Sequence, residues 1–521
     1  MPTIHIDDRP VEVPEGATVL DAARKLGIDI PALCYREGFE AGTSCMACVV
    51  KVAGRNGLVP SCATEAVDGM RVESETPEVR QVRRTAIELL LSDHLGDCLA
   101  PCHSLCPAGM NIPRMIRQIA RGALREAIET VKADIALPAV LGRICPAPCE
   151  KGCRRAAQDA PVSICLLKRT VADADLDSDQ PYRPPRKTAS GKSVAIVGAG
   201  PTGLAAAWHL LEDGHACTIF DENDEPGGML RYGVDEARLP RDVLDAEIAV
   251  IRRQGAEVRC GVRVGEATGL DDLRRDFDAV LIAAGAIDEA RADAIGLAWD
   301  GPAGARADRV TGATDVEGVF AACSARQQKL AVRAVGRGKA VAVAIGQFLR
   351  GEDVSGKPRP FTVHIGKLRE GEIEAFAPEA DARGRVEPAE KARGLTASEA
   401  AEEARRCLHC DCRRSDDCKL RIYAAAYGAK PSAYKVDRRT FEQLRQHADV
   451  IFEPGKCIQC GLCIQAAARA SERLGLTFIG RGFDMHLAVP LGHSLAEGLE
   501  KAADDCVAVC PTGALAFKDK T

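Results

Sequence analysis

The sequence predicts a multidomain chain of mixed α/β and α+β construction, and three observations carry that prediction. The chain is 521 residues long, whereas a single hydrophobic core seldom grows past about 250–300 residues. Its hydrophobic pattern changes near residue 193 to the strand–glycine turn–helix–strand order of a Rossmann-type segment. Most of its 23 cysteines fall into five tight groups, at 34–62, 94–106, 145–165, 407–418 and 457–510.

Composition narrows the class. Apolar residues make up 46% and charged residues 28%, ample for packed cores in water. A net charge of −6 gives no reason to expect nucleic acid or an anionic membrane as partner. No apolar run approaches the roughly 20 residues that span a bilayer. The opening MPTIHIDDRPVEV alternates like a strand and lacks the order of a signal peptide. A cytoplasmic location with reduced thiols is therefore expected, which argues against a disulfide framework.

Taken in order, residues 1–78 combine short strands (Thr3–Ile6, Val11–Val13), a helix after Thr18 and the first thiol group. Residues 79–190 are expected to be helical. The helix over 79–92 places Val79, Val82, Ala86, Leu89 and Leu90 on one face, and a polar linker is expected over Asp173–Lys192. Residues 191–352 form the Rossmann-type domain, with strands Val194–Val197 and Cys217–Phe220. Residues 353–425 read as a linker with an extra cysteine motif and some helix near 396–406. Residues 426–521 form the last domain.

The thiol spacings point to iron. Cys34, Cys45, Cys48 and Cys62 form a C-x10-C-x2-C-x13-C run, and four thiolates can hold a [2Fe–2S] cluster. Cys457, Cys460 and Cys463 form a C-x2-C-x2-C triplet with a remote Cys510-Pro511, the pattern that holds a [4Fe–4S] cubane in ferredoxins. Cys506 competes with Cys510, and the Cys-Pro context favours Cys510. Cys407, Cys410, Cys412 and Cys418 offer four thiolates within twelve residues, for a further [4Fe–4S] cluster or for zinc. Cys217, Cys260 and Cys323 read as ordinary buried residues.

The first 105 residues resemble the N-terminal part of the large iron–sulfur subunit of respiratory complex I and its relatives in NAD-linked hydrogenases and formate dehydrogenases. The likeness lies in the first thiol spacing and in RRTAIELLLSDHLGDC (83–98). It implies a β-grasp [2Fe–2S] ferredoxin domain, and it makes His94 and Cys98 the start of a [4Fe–4S] site with one histidine ligand. The Cys457–Cys510 set is similar to the C-terminal cluster of the same subunit and implies a ferredoxin-like domain. After Cys98 the sequence departs from this family.

CLAPCHSLCPAGMNIP (98–113) and ICPAPCEKGC (144–153) resemble instead the double-cluster module of the glutamate synthase small subunit and of dihydropyrimidine dehydrogenase. That resemblance implies one [4Fe–4S] cluster on Cys98, Cys102 and Cys153, with His94 as its fourth ligand. A second would take Cys106, Cys145 and Cys149. Its fourth family ligand, a Gln or Glu, is Lys168 here, and an ammonium cannot donate to iron. Cys165, one helical turn earlier, is the expected substitute. EEARRCLHC (402–410) resembles the segment that starts this module in the dehydrogenase relatives.

Gly198, Gly200 and Gly203 follow a strand and open a helix, the context that gives a G-x-G-x-x-G its meaning: a tight turn and a helix N-terminus facing a pyrophosphate. Asp221, about 20 residues on, suits a ribose hydroxyl. Alone this fits NAD or FAD. PGGMLRYGV (226–234) and FDAVLIAAGA (277–286) resemble the flavin half of the glutamate synthase small subunit, which implies FAD lined by Gly227, Gly228, Met229 and Arg231. Cys323-Ser324 replaces that family's Gly-Asp, so Ser324 stands where a carboxylate would meet the ribityl chain. Only about 32 residues separate Ala286 from Gly318, where the family inserts a nicotinamide-binding domain of about 100 residues or more.

These readings predict an oxidoreductase subunit with one [2Fe–2S] cluster, three to four [4Fe–4S] clusters and FAD, and no catalytic side chains of its own. Electrons would pass between an NADH-oxidising flavoprotein subunit of complex I type and a terminal oxidoreductase subunit, formate dehydrogenase- or hydrogenase-like, with ferredoxin as a further possible partner. Two alternatives stand beside it: an NAD(P)H-dependent reductase like the glutamate synthase small subunit, and a metal-bound redox sensor or scaffold.

Overall fold

The computed structural model describes residues 1–266, 268–301, 304–323, 330–390, 392–434 and 437–518. They form two compact units that do not follow the five consecutive segments drawn from the sequence. The first unit comprises Met1–Ala100, Pro360–Pro378 and Cys410–Lys520; the second comprises Pro101–Arg359 and Glu379–His409. The second unit is thus an insertion in the chain of the first.

The first unit begins with a five-stranded sheet in the order Arg9–Glu12, Thr3–Ile6, Arg71–Glu73, Val49–Val52, Leu58–Pro60. The first hairpin is antiparallel in the register Ile4↔Val11, while Thr3–Ile6 runs parallel to Arg71–Glu73. Helix Val19–Lys25 covers the sheet. Thr18 and Asp21 close a reciprocal capping box at its start, and Val19, Leu20, Ala22 and Ala23 are buried beneath it. A helix grasped by a mixed sheet is the β-grasp arrangement implied by the resemblance. Helix Pro77–Ser92 follows, capped by Thr76 with proline in its first turn.

The buried face of that helix corrects the sequence reading. Val79, Arg83, Ala86, Ile87 and Leu91 point inward, while Val82 and Leu89 are 38% and 53% exposed. Arg83 turns the face. Its guanidinium donates to the carbonyl of Val49 (2.9 and 3.0 Å), to Glu75 (2.7 Å) and to the Tyr427 hydroxyl (2.8 Å), so a full charge is buried with its donors satisfied.

The C-terminal part of this unit holds two small hairpins, Val450–Phe452 with Leu515–Phe517 and Thr477–Ile479 with His486–Ala488. Helices Leu462–Arg469 and Ala503–Val509 complete a core that includes Phe452, Leu462, Leu499 and Val507. The returning segment Pro360–Pro378 is pinned by Glu372. Its carboxylate accepts from the Arg438 guanidinium at 2.6 and 2.7 Å and from the backbone N–H of Phe441 at 2.8 Å, and Phe376 stacks on Phe441.

In the second unit, helices Ile112–Ala120, Leu124–Lys132, Pro138–Ile144, Ile164–Leu176 and Ala397–Ala404 form a bundle. The expected linker begins later than its polarity suggested, because the last of the first four helices continues to Leu176. Asp173 pairs with Arg143 (2.7 Å) and the buried Asp175 with Lys132 (2.5 Å), so these charges hold helix rather than loop. Beside the bundle lies a parallel sheet in the order Val319–Ala321, Ala279–Ile282, Ser193–Val197, Ala216–Phe220, Glu257–Arg259. All but the edge strand Glu257–Arg259 are largely apolar and buried, as a sheet covered on both faces requires. Helices Pro201–Glu212 and Ala331–Leu349 pack closely on it, and a Cβ at Gly338 would be driven into the Thr202 carbonyl. The fully buried Trp208 donates to the carbonyl of Lys132 at 3.0 Å and so ties sheet to bundle.

Candidate functional site

Each thiol group sits on a loop that curls tightly. Among the few non-glycine residues with left-handed backbone, Met46, Ala147, His409 and Gln459 each lie between two cysteines of one group. Such conformations cost energy and collect where the chain must wrap around something.

In the β-grasp domain the four thiols form two close pairs. Cys34 and Cys45 are 3.3 Å apart at sulfur, Cys48 and Cys62 are 3.4 Å apart, and all four are buried. Two pairs of thiolates are what two bridged iron atoms take. In the C-terminal part, one cavity is walled by Cys457, Cys460, Cys463 and Cys510 with Pro511 and Thr512. Gly461 has φ +74°, the left-handed turn that starts the following helix. Cys506 is turned aside, its thiol donating to the Cys463 carbonyl at 3.4 Å. The two sites are neighbours: a Cβ on Gly42, inside the first thiol loop, would lie 3.4 Å from the Cys460 carbonyl oxygen.

Cys98 belongs to the first unit, where its sulfur accepts from the Val363 N–H at 3.5 Å and its carbonyl from the Cys412 N–H at 3.4 Å. Cys98 and Cys418 share one apolar cluster. Burial, with the nearby thiol of Cys412 adding to it, pushes the Cys418 thiol up to about 12. His94 is half-buried in the same unit, its Nδ1 shielded from solvent. Burial, helped by the Lys456 charge, pulls its imidazole down to about 4, so it is neutral near pH 7 and able to donate a lone pair. Its Nδ1 has no hydrogen-bond partner. An orphaned ring nitrogen suits a metal ligand, and in the same unit Cys412 abuts Gly513.

The remaining thiols lie in the second unit. Cys106, Cys145, Cys149 and Cys165 line one cavity together with Lys168. Helix Ile164–Leu176 presents Cys165 and Lys168 one turn apart, as expected from the sequence. At another edge, helix Pro101–Leu105, which carries Cys102, packs against the turn Glu150–Gly152 that leads into Cys153. Cys153 feels the charge of Arg406, whose carbonyl accepts from Arg155 at 3.2 Å and which immediately precedes Cys407. Of the four cysteines of 407–418, Cys407 is counted with the second unit and Cys410, Cys412 and Cys418 with the first.

Among the described residues no three His, Cys, Asp or Glu side chains converge on a single-ion site. Iron–sulfur clusters take their protein ligands on different irons, so the test of fit is a set of thiols around one cavity.

The glycine turn has the form that a dinucleotide needs. Gly198 has φ +108°, and a Cβ on Gly203 would be driven into the Gly198 carbonyl oxygen. Gly228 approaches so closely that its Cβ would lie 2.9 Å from the Gly200 Cα, which sets the 226–234 loop against the turn. The buried Asp221 accepts from the Ala199 N–H at 2.6 Å and so also braces that turn. Arg231 is committed to the protein: it donates to the Pro226 carbonyl at 2.8 Å and pairs with Asp245 and Glu225. Its place is thus to hold the Gly227–Gly228 loop, and Met229 is largely exposed. Ser324 lies outside the described residues.

Comparison with known proteins agrees with these modules. A 2Fe-2S iron-sulfur cluster binding domain matches residues 1–77, the 4Fe-4S cluster domain II of dihydropyrimidine dehydrogenase matches residues 95–180, and an NAD(P)-binding Rossmann-like domain matches residues 196–258. The chain thus joins matches to two iron–sulfur domains and a Rossmann-like domain in a fold of mixed α/β construction. Its middle is 44% identical over 193 residues to the glutamate synthase [NADPH] small chain of Mycobacterium tuberculosis, covering 36% of this chain and 39% of that protein. It is 41% identical over 207 residues to the NADP(+)-dependent formate dehydrogenase subunit beta of Moorella thermoacetica (36% and 29%), and 39% identical over 191 residues to the NADPH-Fe(3+) oxidoreductase subunit beta of Geobacter sulfurreducens (36% and 28%). The match thus spans well under half of each of these relatives. An NAD+-reducing [NiFe]-hydrogenase structure aligns over 99% of this chain and 87% of that one, at 13% identity and a TM-score of 0.36, a likeness that carries no functional weight. No helix among the described residues is long and apolar enough to cross a membrane.

Proposed function

We propose that this chain is an electron-transfer subunit that carries electrons between an NADH-oxidising flavoprotein partner and a terminal oxidoreductase of formate dehydrogenase or hydrogenase type. One observation supports this above the rest. The first unit alone gathers three thiol sets, with Gly42 of the first in contact with Cys460 of another and with Cys34, Cys98 and Cys418 in one apolar cluster. Bound iron–sulfur clusters supply one-electron steps, and a bound flavin would exchange two electrons with such a chain.

The residues divide the work as follows. Cys34 with Cys45 and Cys48 with Cys62 hold the [2Fe–2S] cluster. His94, Cys98, Cys412 and Cys418 hold one cubane, and Cys457, Cys460, Cys463 and Cys510 another. Cys106, Cys145, Cys149 and Cys165 hold a third. Cys102, Cys153 and Cys407 bind a fourth. The turn at Gly198, Gly200 and Gly203, buttressed by Gly228 and Asp221, receives the pyrophosphate of FAD. No side chain is asked to move a proton; the protein positions the groups and tunes them.

Anaerobic purification from its native source tests this reading. It expects about 18 iron atoms per chain, a flavin, and co-purifying subunits that oxidise NADH and a second donor or acceptor. Iron-free protein with zinc in its place would overturn it in favour of a sensor or scaffold. The names of the matched relatives favour a second reading, in which the Rossmann turn serves NADPH. Binding of NADPH by the isolated chain, with no flavin released on denaturation, would decide for it.

A further inference from the structure

We propose that Lys168 sets the reduction potential of the cluster held by Cys106, Cys145, Cys149 and Cys165, as a fixed positive charge enclosed with their sulfurs. The inference rests on the reading of that cavity as a cluster site and goes on from it to what this chain does differently there.

The geometry is specific. Lys168 is 5% exposed and lines the same cavity as the four thiols, whose remaining wall includes the apolar Ile135 and Ile164. Helix Ile164–Leu176 delivers Cys165 and Lys168 one turn apart, so both face inward. Glu150, the nearby carboxylate, accepts from the Cys165 N–H at 2.9 Å and from Arg385 at 3.3 Å, so its charge is already matched. Lys168 is the one basic or acidic side chain among the described residues that line this cavity, the rest being the four cysteines and apolar residues.

The physical consequence follows from charge. A cubane held by four thiolates is an anion, and reduction adds one more electron to it. A cation a few ångströms away, in an interior of low dielectric, stabilises the reduced form more than the oxidised one. Taking Cys165 as ligand adds a negative charge to the site, and the ammonium offsets it. Net charge is one of the levers that set cluster potentials. Without Lys168 this cubane would be the harder to reduce; with it, the cluster is an acceptor for its neighbours.

The test uses the full-length, anaerobically purified holoprotein and a potentiometric titration followed by EPR. Cys149→Ser identifies which signal belongs to this cluster. Lys168→Met is expected to shift the one-electron reduction equilibrium of that signal at least tenfold toward the oxidised form, about 59 mV, with the other signals unmoved. Lys168→Arg is expected to titrate with the wild type. If Lys168→Met loses the cluster while Lys168→Arg keeps it at the wild-type potential, charge is again the cause. Wild-type behaviour of Lys168→Met to within twofold overturns the proposal, and so does loss of the cluster in both variants, which would mean that shape and not charge matters. Undiminished iron and an unchanged spectrum in Cys149→Ser would instead sink the cluster site itself.

Discussion

Cys412 donates its backbone N–H to the carbonyl oxygen of Cys98 at 3.4 Å, and so joins the two points of the chain between which the second unit is inserted. The sequence reading assigned Cys98 to a site with Cys102, four residues away. The fold also gives it a backbone hydrogen bond with Cys412 and an apolar cluster shared with Cys418.

That pairing makes a direct prediction. Cys98→Ser, Cys412→Ser and Cys418→Ser should each remove the same EPR signal and about four irons. Cys102→Ser should leave that signal intact and remove a different one. Iron analysis beside low-temperature EPR checks it, and a shared loss in Cys98→Ser and Cys102→Ser would restore the sequence assignment.

Filling the glycine turn should empty the dinucleotide site. A side chain on Gly203 collides with the Gly198 carbonyl, so Gly203→Val must push the helix Pro201–Glu212 off the turn. The expected result is loss of bound flavin by a factor of ten or more with iron retained, read from cofactor released on denaturation.

Glu372 ties the segment 360–378 into the first unit. Its hydrogen bonds with Arg438, helped by the Arg369 and Phe441 amides, hold its carboxyl at about 2, well below the usual range. A depressed carboxyl stabilises the fold above its unfolded value near 4.5 and loses that contribution as pH falls from there through about 2. Arg438→Ala should therefore cost about 2–4 kcal/mol of local stability at neutral pH, since it leaves a buried carboxylate without its partner. Hydrogen exchange of peptides around 369–378 and 438–443 should quicken in the variant. In the wild type, protection there should fade over the same acid window.

Removing the metal should destabilise the first unit. The buried thiols of Cys418 and Cys460 are pushed up to about 12, chiefly by burial, so without iron they stay protonated and unligated. A ligand that binds only the folded state raises its stability by mass action. Chelation of iron under reducing, oxygen-free conditions should lower the first thermal transition by several degrees, and cluster reconstitution should restore it. An unchanged transition would mean that the thiols are held by packing alone.

The legible part of this protein was local. The C-x10-C-x2-C-x13-C and C-x2-C-x2-C spacings, the G-x-G-x-x-G turn between strand and helix, and the position of Cys165 one turn before Lys168 all depend on neighbours within a loop or a helix turn. Their geometry follows from chain stiffness and period. The less legible part was the buried face of Pro77–Ser92, because apolar period alone does not foresee an arginine buried by a complete set of acceptors.

The sequence determined which thiols exist, how they are spaced along the chain, and that a nucleotide-binding turn lies among them. Only the tertiary structure decided which thiols meet. Cys98 meets Cys412 through a backbone hydrogen bond and shares an apolar cluster with Cys418, more than three hundred residues away along the chain. The physical reason is that an inserted unit returns the chain close to where it left. Sequence separation then says nothing about distance in space, and burial and backbone hydrogen bonding choose the partners.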